Sequence, residues 1–124
     1  MTTGIMTERE QVAVIDIGSS AIRLVIAEPR GDGNWRIMES ASRPVRLGQD
    51  VFHTGRISRE TIRQSIRILT GFRELIDSYQ VHTVRTIGTS AVREAENRDI
   101  FIDRIRMRTG VDVKVIAGIE ANHL

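Results

Sequence analysis

The feature that most constrains the fold is a pair of apolar runs, Val12–Ile17 and Ile22–Ala27, separated by four residues. Runs of this length and composition are typical of buried strands, and so short a connection predicts an antiparallel pair. The connection opens with Gly18 followed by two serines, and Asp16 comes just before it. Backbone N–H groups and hydroxyls in such a turn can bind phosphate oxygens, while a carboxylate can hold a cation. Phosphate binding is the first functional hypothesis, and an ordinary hairpin turn is the alternative.

A third apolar run, Trp35–Ala41, follows a reversal signal at Pro29–Asn34. Glycine, proline, aspartate and asparagine in such a cluster favour a tight turn, so the first three strands are predicted to form an antiparallel meander. The next segment, Arg43–Thr54, has no clean period and contains Pro44 and Gly48. It is predicted to be a strand end that passes into an irregular loop.

The strongest helical pattern begins at Ser58 and runs to about Tyr79, with apolar residues at spacings of three and four. Ser58 is the expected N-cap, because its hydroxyl can accept from free N–H groups of the first turn. A short buried strand is predicted at Val81–Ile87.

The rest of the chain alternates again between helix and strand. We expect a short helix that begins at Gly88–Ser90, a further helix that Asn97 caps and Gly110 ends, a strand at Val111–Ala117, and the first turn of a helix at Gly118–Leu124. The order βββ-α-β-α-α-β predicts an α/β fold with a mixed five-stranded sheet and helices packed on it.

Composition narrows the class of protein. The 124 residues are one domain's worth of chain, and 40% hydrophobic content is enough for a core. The 18 basic residues include a single lysine, Lys114, so arginine dominates the positive charge. Residues 1–10 are polar and are predicted to be a disordered tail. The absence of cysteine excludes disulfides, thiolate catalysis and Cys-ligated zinc. With no apolar run near 20 residues and no signal-like segment, we expect a cytoplasmic protein without a membrane partner.

Four segments carry a resemblance to a known family: IDIGSSAIRLVIAE, RPVRLGQDVFHTGRIS, GTSAVREAENRDIF and VKVIAGIEA. In order and spacing they resemble the N-terminal half of the exopolyphosphatase and guanosine pentaphosphate phosphohydrolase family (Ppx/GppA), from Val12 to Leu124. The first segment is common to sugar kinases, acetate kinase, actin and the Hsp70 ATPase domain. The third segment is far more specific to Ppx/GppA proteins.

The resemblance implies an actin-like, ribonuclease H-type fold of two lobes that close over a phosphate-bearing ligand. Residues 11–124 would form the N-terminal lobe, and the family's second phosphate loop would lie outside this chain. The family removes the terminal phosphate of polyphosphate, or the 5′ phosphate of guanosine pentaphosphate (pppGpp), with Mg²⁺ or a similar cation. The 124 residues alone are therefore expected to be inactive.

The same resemblance implies phosphate-binding roles for Gly18, Ser19, Ser20, Arg23, Thr89, Ser90 and Arg93. Asp16 would hold the metal ion through water. At Thr89 and Ser90 a loop becomes a helix, which would add free N–H groups and the positive end of a helix dipole. The alternative is that Thr89 or Ser90 only caps this helix while Arg93 pairs with Glu94 or Glu96. The alternative for Arg23 is that it is an ordinary strand residue whose side chain is solvated or forms an ion pair.

The catalytic base is the point at which the sequence departs from the family pattern Gly-x-Glu-Glu-Ala. An ungapped match aligns Glu120 with the first glutamate and places Ala121 at the second, which is the group that activates water. A one-residue deletion before Glu120 would restore the Glu-Ala pair but would shift Leu124. The ungapped register is preferred, and it makes Glu120 the remaining candidate carboxylate.

Three functions remain open. The first is hydrolysis of polyphosphate or guanosine pentaphosphate, the second is a non-catalytic regulator that binds polyphosphate or guanosine penta- or tetraphosphate, and the third is an ATP-using kinase or ATPase of the actin-like fold. Too few aromatic residues are present, at 4%, for base stacking, so sequence-specific nucleic-acid binding is not expected. The histidines have no metal-ligand spacing. Homodimerisation is left open.

Overall fold

Apolar runs and turn residues divide the chain into five strands and four helices within residues 10–116, the part that the computed structural model describes. The strands are β1 (Val12–Ile17), β2 (Ala21–Pro29), β3 (Trp35–Pro44), β4 (Thr83–Gly88) and β5 (Val113–Val115). The helices are α1 (Leu47–Thr54), α2 (Arg59–Ser78), α3 (Ser90–Glu94) and α4 (Arg98–Thr109). None of these helices combines the length and apolar character needed to cross a membrane.

The strands form one mixed sheet in the order β3-β2-β1-β4-β5. β1 pairs antiparallel with β2, and β2 antiparallel with β3, whereas β1–β4 and β4–β5 are parallel pairs. The predicted meander and mixed five-stranded sheet are confirmed. Both parallel connections move the chain in the same direction across the sheet, and right-handed crossovers therefore place their helices on the same face.

The core lies between this face of the sheet and the helices. Alternate residues of β1 and β2 are fully buried there, together with apolar residues of α2 and α4: Ala13, Ile15, Ile17, Ile22, Leu24, Ile26, Leu69, Phe72, Ile76, Phe101 and Ile105. The opposite face is open in the described residues. Val14, Trp35 and Ile37 lie on it and are 38%, 54% and 59% exposed.

Helix α2 follows the sequence pattern closely. Ser58 is its N-cap, and the Ser58 hydroxyl accepts from the Thr61 amide at 3.1 Å. Its buried residues recur at helical spacing and face the sheet. The predicted start, cap and end are confirmed to within a residue.

The predicted irregular loop at Arg43–Thr54 is wrong. β3 continues to Pro44, and α1 begins at Leu47, so the element order is βββ-α-α-β-α-α-β. Eight residues are too few for a helical period to emerge from the sequence, and Gly48 and Pro44 suggested a loop. Burial of Leu47 stabilises α1, and Gly55 ends it at a φ of 78°.

The prediction for Asn97 is confirmed in position but not in its side-chain contact. Asn97 occupies the N-cap position of α4, but its side chain makes no capping bond. The carboxamide instead accepts from the Ile57 amide and donates to the Ile57 carbonyl, both at 2.9 Å. Gly110 ends α4 with a φ of 77°, as expected.

β4 and β5 each begin two residues later than predicted. The expected tail up to residue 9 and the helical turn at 118–124 lie outside the described residues.

Candidate functional site

Two candidate loops meet where β1 and β4 end. Ile17 and Gly88 are partners in the parallel β1–β4 pair, so the residues after them leave the sheet side by side. Thr89 fixes this juncture, because its amide and its hydroxyl both donate to the Ile17 carbonyl at 3.2 Å. Ligand sites in open α/β sheets form at such carboxyl ends of parallel strands. The structure thus brings the first loop, residues 18–20, beside the second loop, residues 88–90.

The first loop offers fewer backbone donors than its sequence implies. The Gly18 amide donates to the Ala21 carbonyl at 2.9 Å and closes the turn, so this N–H group does not face a ligand. Within the described residues the amides of Ser19 and Ser20 have no acceptor, and both residues are exposed. Two amides and two hydroxyls are therefore available to phosphate oxygens.

Helix α1 and the residues just before it donate hydrogen bonds to the first loop. The sequence did not predict this contact. The Gly48 amide donates to the Ser19 carbonyl at 2.9 Å, and the Val45 amide donates to the Ser20 carbonyl at 3.0 Å. A Cβ atom on Gly48 would lie 2.7 Å from the Cβ of Ser19. One feature of the sequence could have indicated this helix: Leu47 and Val51 are apolar and four residues apart, between Pro44 and Gly55.

Asp50 joins α1 to the start of α2. Its carboxylate accepts from the Ser58 amide at 2.9 Å. Partial burial by itself raises the pKa of Asp50. Hydrogen bonds from the Thr61 hydroxyl and from the Ser58 amide and hydroxyl, together with the positive charge of Arg46, outweigh burial and lower that pKa overall. The carboxylate is therefore ionised at neutral pH and holds α1 against α2.

The second loop packs tightly against its surroundings. A Cβ atom on Gly88 would lie 3.2 Å from side-chain atoms of Val92 and Val113, so the backbone approaches both closely. The Thr89 side chain makes no capping bond, because its hydroxyl is bonded to β1. Ser90 is exposed at the start of α3. Helix α3 has only five residues, so any helix dipole at its start is small.

Arg93 is partly engaged within the protein. One terminal nitrogen, Nη1, donates to the Ile116 carbonyl at 3.0 Å, and Nη2 lies 3.5 Å from the Glu94 carboxylate. The alternative of an ion pair with Glu94 is therefore present in the structure. A guanidinium carries five N–H donors, and these two contacts do not use all of them. Its role toward phosphate stays a prediction.

Asp16 and Arg23 face each other across β1 and β2 on the open face of the sheet. Neither side chain forms an ion pair or a hydrogen bond with another residue in the range 10–116. No group of three or more His, Cys, Asp or Glu side chains that could hold a metal ion occurs in that range. A magnesium site commonly combines one or two carboxylates with water and substrate phosphate, so the half-buried Asp16 fits such a site as its single protein ligand. Glu120 and Ala121 lie outside the described residues.

The sequence profile of the Ppx/GppA phosphatase family matches residues 24–122 of the chain. Exopolyphosphatase 2 of Mycobacterium tuberculosis is 39% identical over 94 residues, which cover 73% of this chain and 30% of that protein. A guanosine-5′-triphosphate,3′-diphosphate pyrophosphatase of Vibrio atlanticus is 30% identical over 108 residues, which cover 87% of this chain and 22% of that protein.

Solved structures show the same fold. A Ppx/GppA family member from Aquifex aeolicus superposes with a TM-score of 0.84 at 36% identity, covering 90% of this chain and 36% of that one. An exopolyphosphatase from Cytophaga hutchinsonii gives a TM-score of 0.84 at 32% identity, covering 89% and 35% of the two chains. The predicted fold class is confirmed. The chain spans about a third or less of the length of these proteins.

Proposed function

The chain belongs to the Ppx/GppA phosphatase family, and on that basis we propose that it supplies one phosphate-binding half of an enzyme that hydrolyses terminal phosphoanhydride bonds. The proposed substrates are inorganic polyphosphate and guanosine pentaphosphate. The names of two relatives, an exopolyphosphatase and a guanosine-5′-triphosphate,3′-diphosphate pyrophosphatase, support this substrate class.

One observation carries the proposal. Thr89 donates twice to the Ile17 carbonyl and thereby holds the two candidate loops at neighbouring strand ends. Phosphoryl transfer requires positioning of phosphate groups and stabilisation of their charge rather than covalent chemistry by the protein. A rigid junction between two donor-bearing loops meets the first of these requirements.

The residues divide this work by their chemistry. The amides and hydroxyls of Ser19 and Ser20 bind terminal phosphate oxygens. Ser90 adds a hydroxyl from the second loop, and the unused N–H groups of Arg93 stabilise negative charge on the same phosphate. Arg23 supplies a second positive charge near the end of β1.

Asp16 is the residue that would hold Mg²⁺, directly or through water. When bound, the ion neutralises phosphate charge and polarises the phosphorus–oxygen bonds. Asp16 is suited to this role because its carboxylate makes no ion pair within residues 10–116 and because it lies two residues before Gly18, where the first loop begins.

A second candidate function is non-catalytic binding of the same phosphate ligands. It is favoured by the ungapped family match, which places Ala121 where the water-activating glutamate belongs and leaves Glu120 as the nearest carboxylate. The two functions differ in one measurable respect. In a protein that contains both lobes, tight binding of polyphosphate without phosphate release would indicate a regulator, and phosphate release would indicate a hydrolase.

The phosphate role of Arg93 gives the first prediction. We expect Arg93→Ala to weaken binding of inorganic tripolyphosphate at the two loops by about fivefold or more, because one charge-assisted contact is lost. Binding is followed by NMR through the amide signals of Ser19 and Ser20 in the 124-residue chain.

Two further variants separate charge from folding. Arg93→Lys keeps the positive charge and should recover part of the affinity, whereas Arg30→Ala removes an exposed arginine at the opposite end of the strands and should change the affinity by less than about twofold. Melting curves verify that each variant folds. If Arg93→Ala folds and binds as tightly as the parent chain, Arg93 has only its contacts to Ile116 and Glu94.

A further inference from the structure

A surface cavity of about 340 Å³ lies between the connection from α1 to α2 and one side of α4. Three arginines line it, Arg56, Arg59 and Arg104, and no aspartate or glutamate does. Two other surface cavities have mixed charge: one places Arg106 beside two aspartates, and another places Arg73 beside Asp77. Like charges crowded around one cavity repel each other, so this arrangement has an electrostatic cost unless an anion binds there.

Two of the three arginines lack an internal counterion. Arg56 lies 3.8 Å from the Glu96 carboxylate, and this distance permits only a weak ion pair. Arg59 and Arg104 form neither an ion pair nor a side-chain hydrogen bond with any residue in the range 10–116. Both guanidiniums therefore keep all of their N–H donors for a ligand.

The other polar groups of the cavity wall are already satisfied. The Thr54 hydroxyl donates to the Asp50 carbonyl at 3.0 Å and accepts from the Arg56 amide at 3.2 Å, and the Ser58 hydroxyl accepts from the Thr61 amide at 3.1 Å. Asn97 uses its carboxamide on Ile57. Recognition in this cavity must consequently come from the guanidiniums, assisted by the Arg59 amide, which opens α2 and has no acceptor among the described residues.

The rest of the wall is apolar. Ile57 and Ile62 are buried, and Ile100 is 48% exposed at the rim. Low-dielectric walls strengthen the electric field of nearby charges in a concave site. Two carboxylates that contact the lining residues have partners: Asp50 accepts from the Ser58 amide, and Glu96 lies 3.8 Å from Arg56.

We propose that this cavity is a second anion site that binds a compact, multiply charged phosphate, of the size of an inorganic di- or triphosphate, through Arg59 and Arg104. A guanidinium presents paired N–H groups that match two oxygens of one phosphate group. The cavity volume falls in the range of about 300–1,000 Å³ that is common for small-ligand sites. The site shares no residue with the two loops, so this proposal does not depend on the proposed function.

The test is an NMR titration of the isotopically labelled 124-residue chain with sodium tripolyphosphate at about 0.15 M salt, where long-range attraction is largely screened. We expect saturable shifts of the Arg59 and Glu60 amide signals. Arg59→Ala and Arg104→Ala should each weaken this event by about fivefold or more, because each removes a charge-assisted contact. The signals of Ser19 and Ser20 report separately on the loops.

The chain supplies matched controls on the same two helices. Arg63 lies one turn after Arg59, and Arg108 one turn after Arg104; both are exposed and neither lines the cavity. Arg63→Ala and Arg108→Ala should change the affinity by less than about twofold. The proposal is overturned if Arg59 and Glu60 do not shift in a saturable way, or if all four variants weaken binding equally, which would indicate general attraction of a basic surface.

Discussion

At the scale of single residues, the candidate site depends on glycines that allow backbone segments to approach. Gly48 shows this most clearly, because its amide supports the carbonyl of Ser19 while its Cα leaves no room for a side chain. The sequence identified Gly18 as the permissive residue of the first loop, and its amide proved to be used within the turn. A glycine that acts from another element has no local sequence signature, so Gly48 could not be assigned its role before the fold was known.

Replacement of Gly48 by alanine tests this dependence. In an open helical position the change from glycine to alanine stabilises a helix by about 0.5–1 kcal/mol. At Gly48 the new Cβ would lie 2.7 Å from the Ser19 Cβ, so we expect the clash to reverse the sign and to lower the free energy of unfolding by about 1–3 kcal/mol. Tripolyphosphate affinity at the first loop should fall as well, measured at the Ser19 and Ser20 amides.

Gly71 provides the control for this substitution. It lies inside α2, and a Cβ atom there would meet nothing within 4 Å. Gly71→Ala should therefore raise the melting temperature and leave ligand binding unchanged. If Gly48→Ala and Gly71→Ala stabilise the protein equally, the Ser19 side chain can move away from the added methyl group without loss of stability.

At the scale of elements, long periodic segments were predictable and short ones were not. The twenty residues of α2 repeat their apolar positions enough to specify the helix, its cap and its face. Helix α1 has eight residues and is stabilised by contacts with distant elements, which a local pattern does not contain. Just after α1, another such long-range contact is a direct joint between the α1–α2 connection and the start of α4, made by Asn97 on the Ile57 backbone.

The Asn97 joint should be important for stability. Asn97 is 8% exposed and Ile57 is 2% exposed, so Asn97→Ala would leave an N–H and a carbonyl group of Ile57 buried without partners. We expect the free energy of unfolding to fall by about 2–4 kcal/mol, since each unsatisfied buried group costs about 1–3 kcal/mol. Urea unfolding measures the loss. Asn34→Ala, the same change at an exposed turn, should cost less than about 0.5 kcal/mol; a similar loss at both positions would show that the Ile57 groups find other partners.

At the scale of the whole molecule, the topology of the sheet brings the candidate site together. The first and second loops are about seventy residues apart in the chain, yet the parallel pairing of β1 with β4 places them at one edge of the sheet. Only one Asp-x-Gly-Ser loop is present in the 124 residues, whereas the resemblance implies that two such loops share the ligand. The described residues therefore supply groups for the proposed phosphate binding, whereas turnover would also require the other lobe that the resemblance implies.

The final prediction concerns this separation of binding from turnover. We expect the 124-residue chain to bind tripolyphosphate but to release no measurable phosphate from polyphosphate with Mg²⁺ present, because one lobe without the other lobe that the resemblance implies cannot enclose the reacting phosphate. Phosphate release is also measured for an Asp16→Asn variant. Activity that persists in this variant would come from a contaminating phosphatase. Multiple turnover that Asp16→Asn abolishes would contradict the prediction.

The sequence by itself determined the strands β1 to β3, the helix α2 and the family, because local hydrophobic periods and contiguous motifs are written along the chain. Tertiary structure alone decided that Gly48 supports the first loop, that Asn97 bonds to Ile57 rather than capping its helix, and that Arg59 and Arg104 line one cavity. These relations join residues from different elements. Their energies depend on distances that arise only when the sheet and its crossovers have folded.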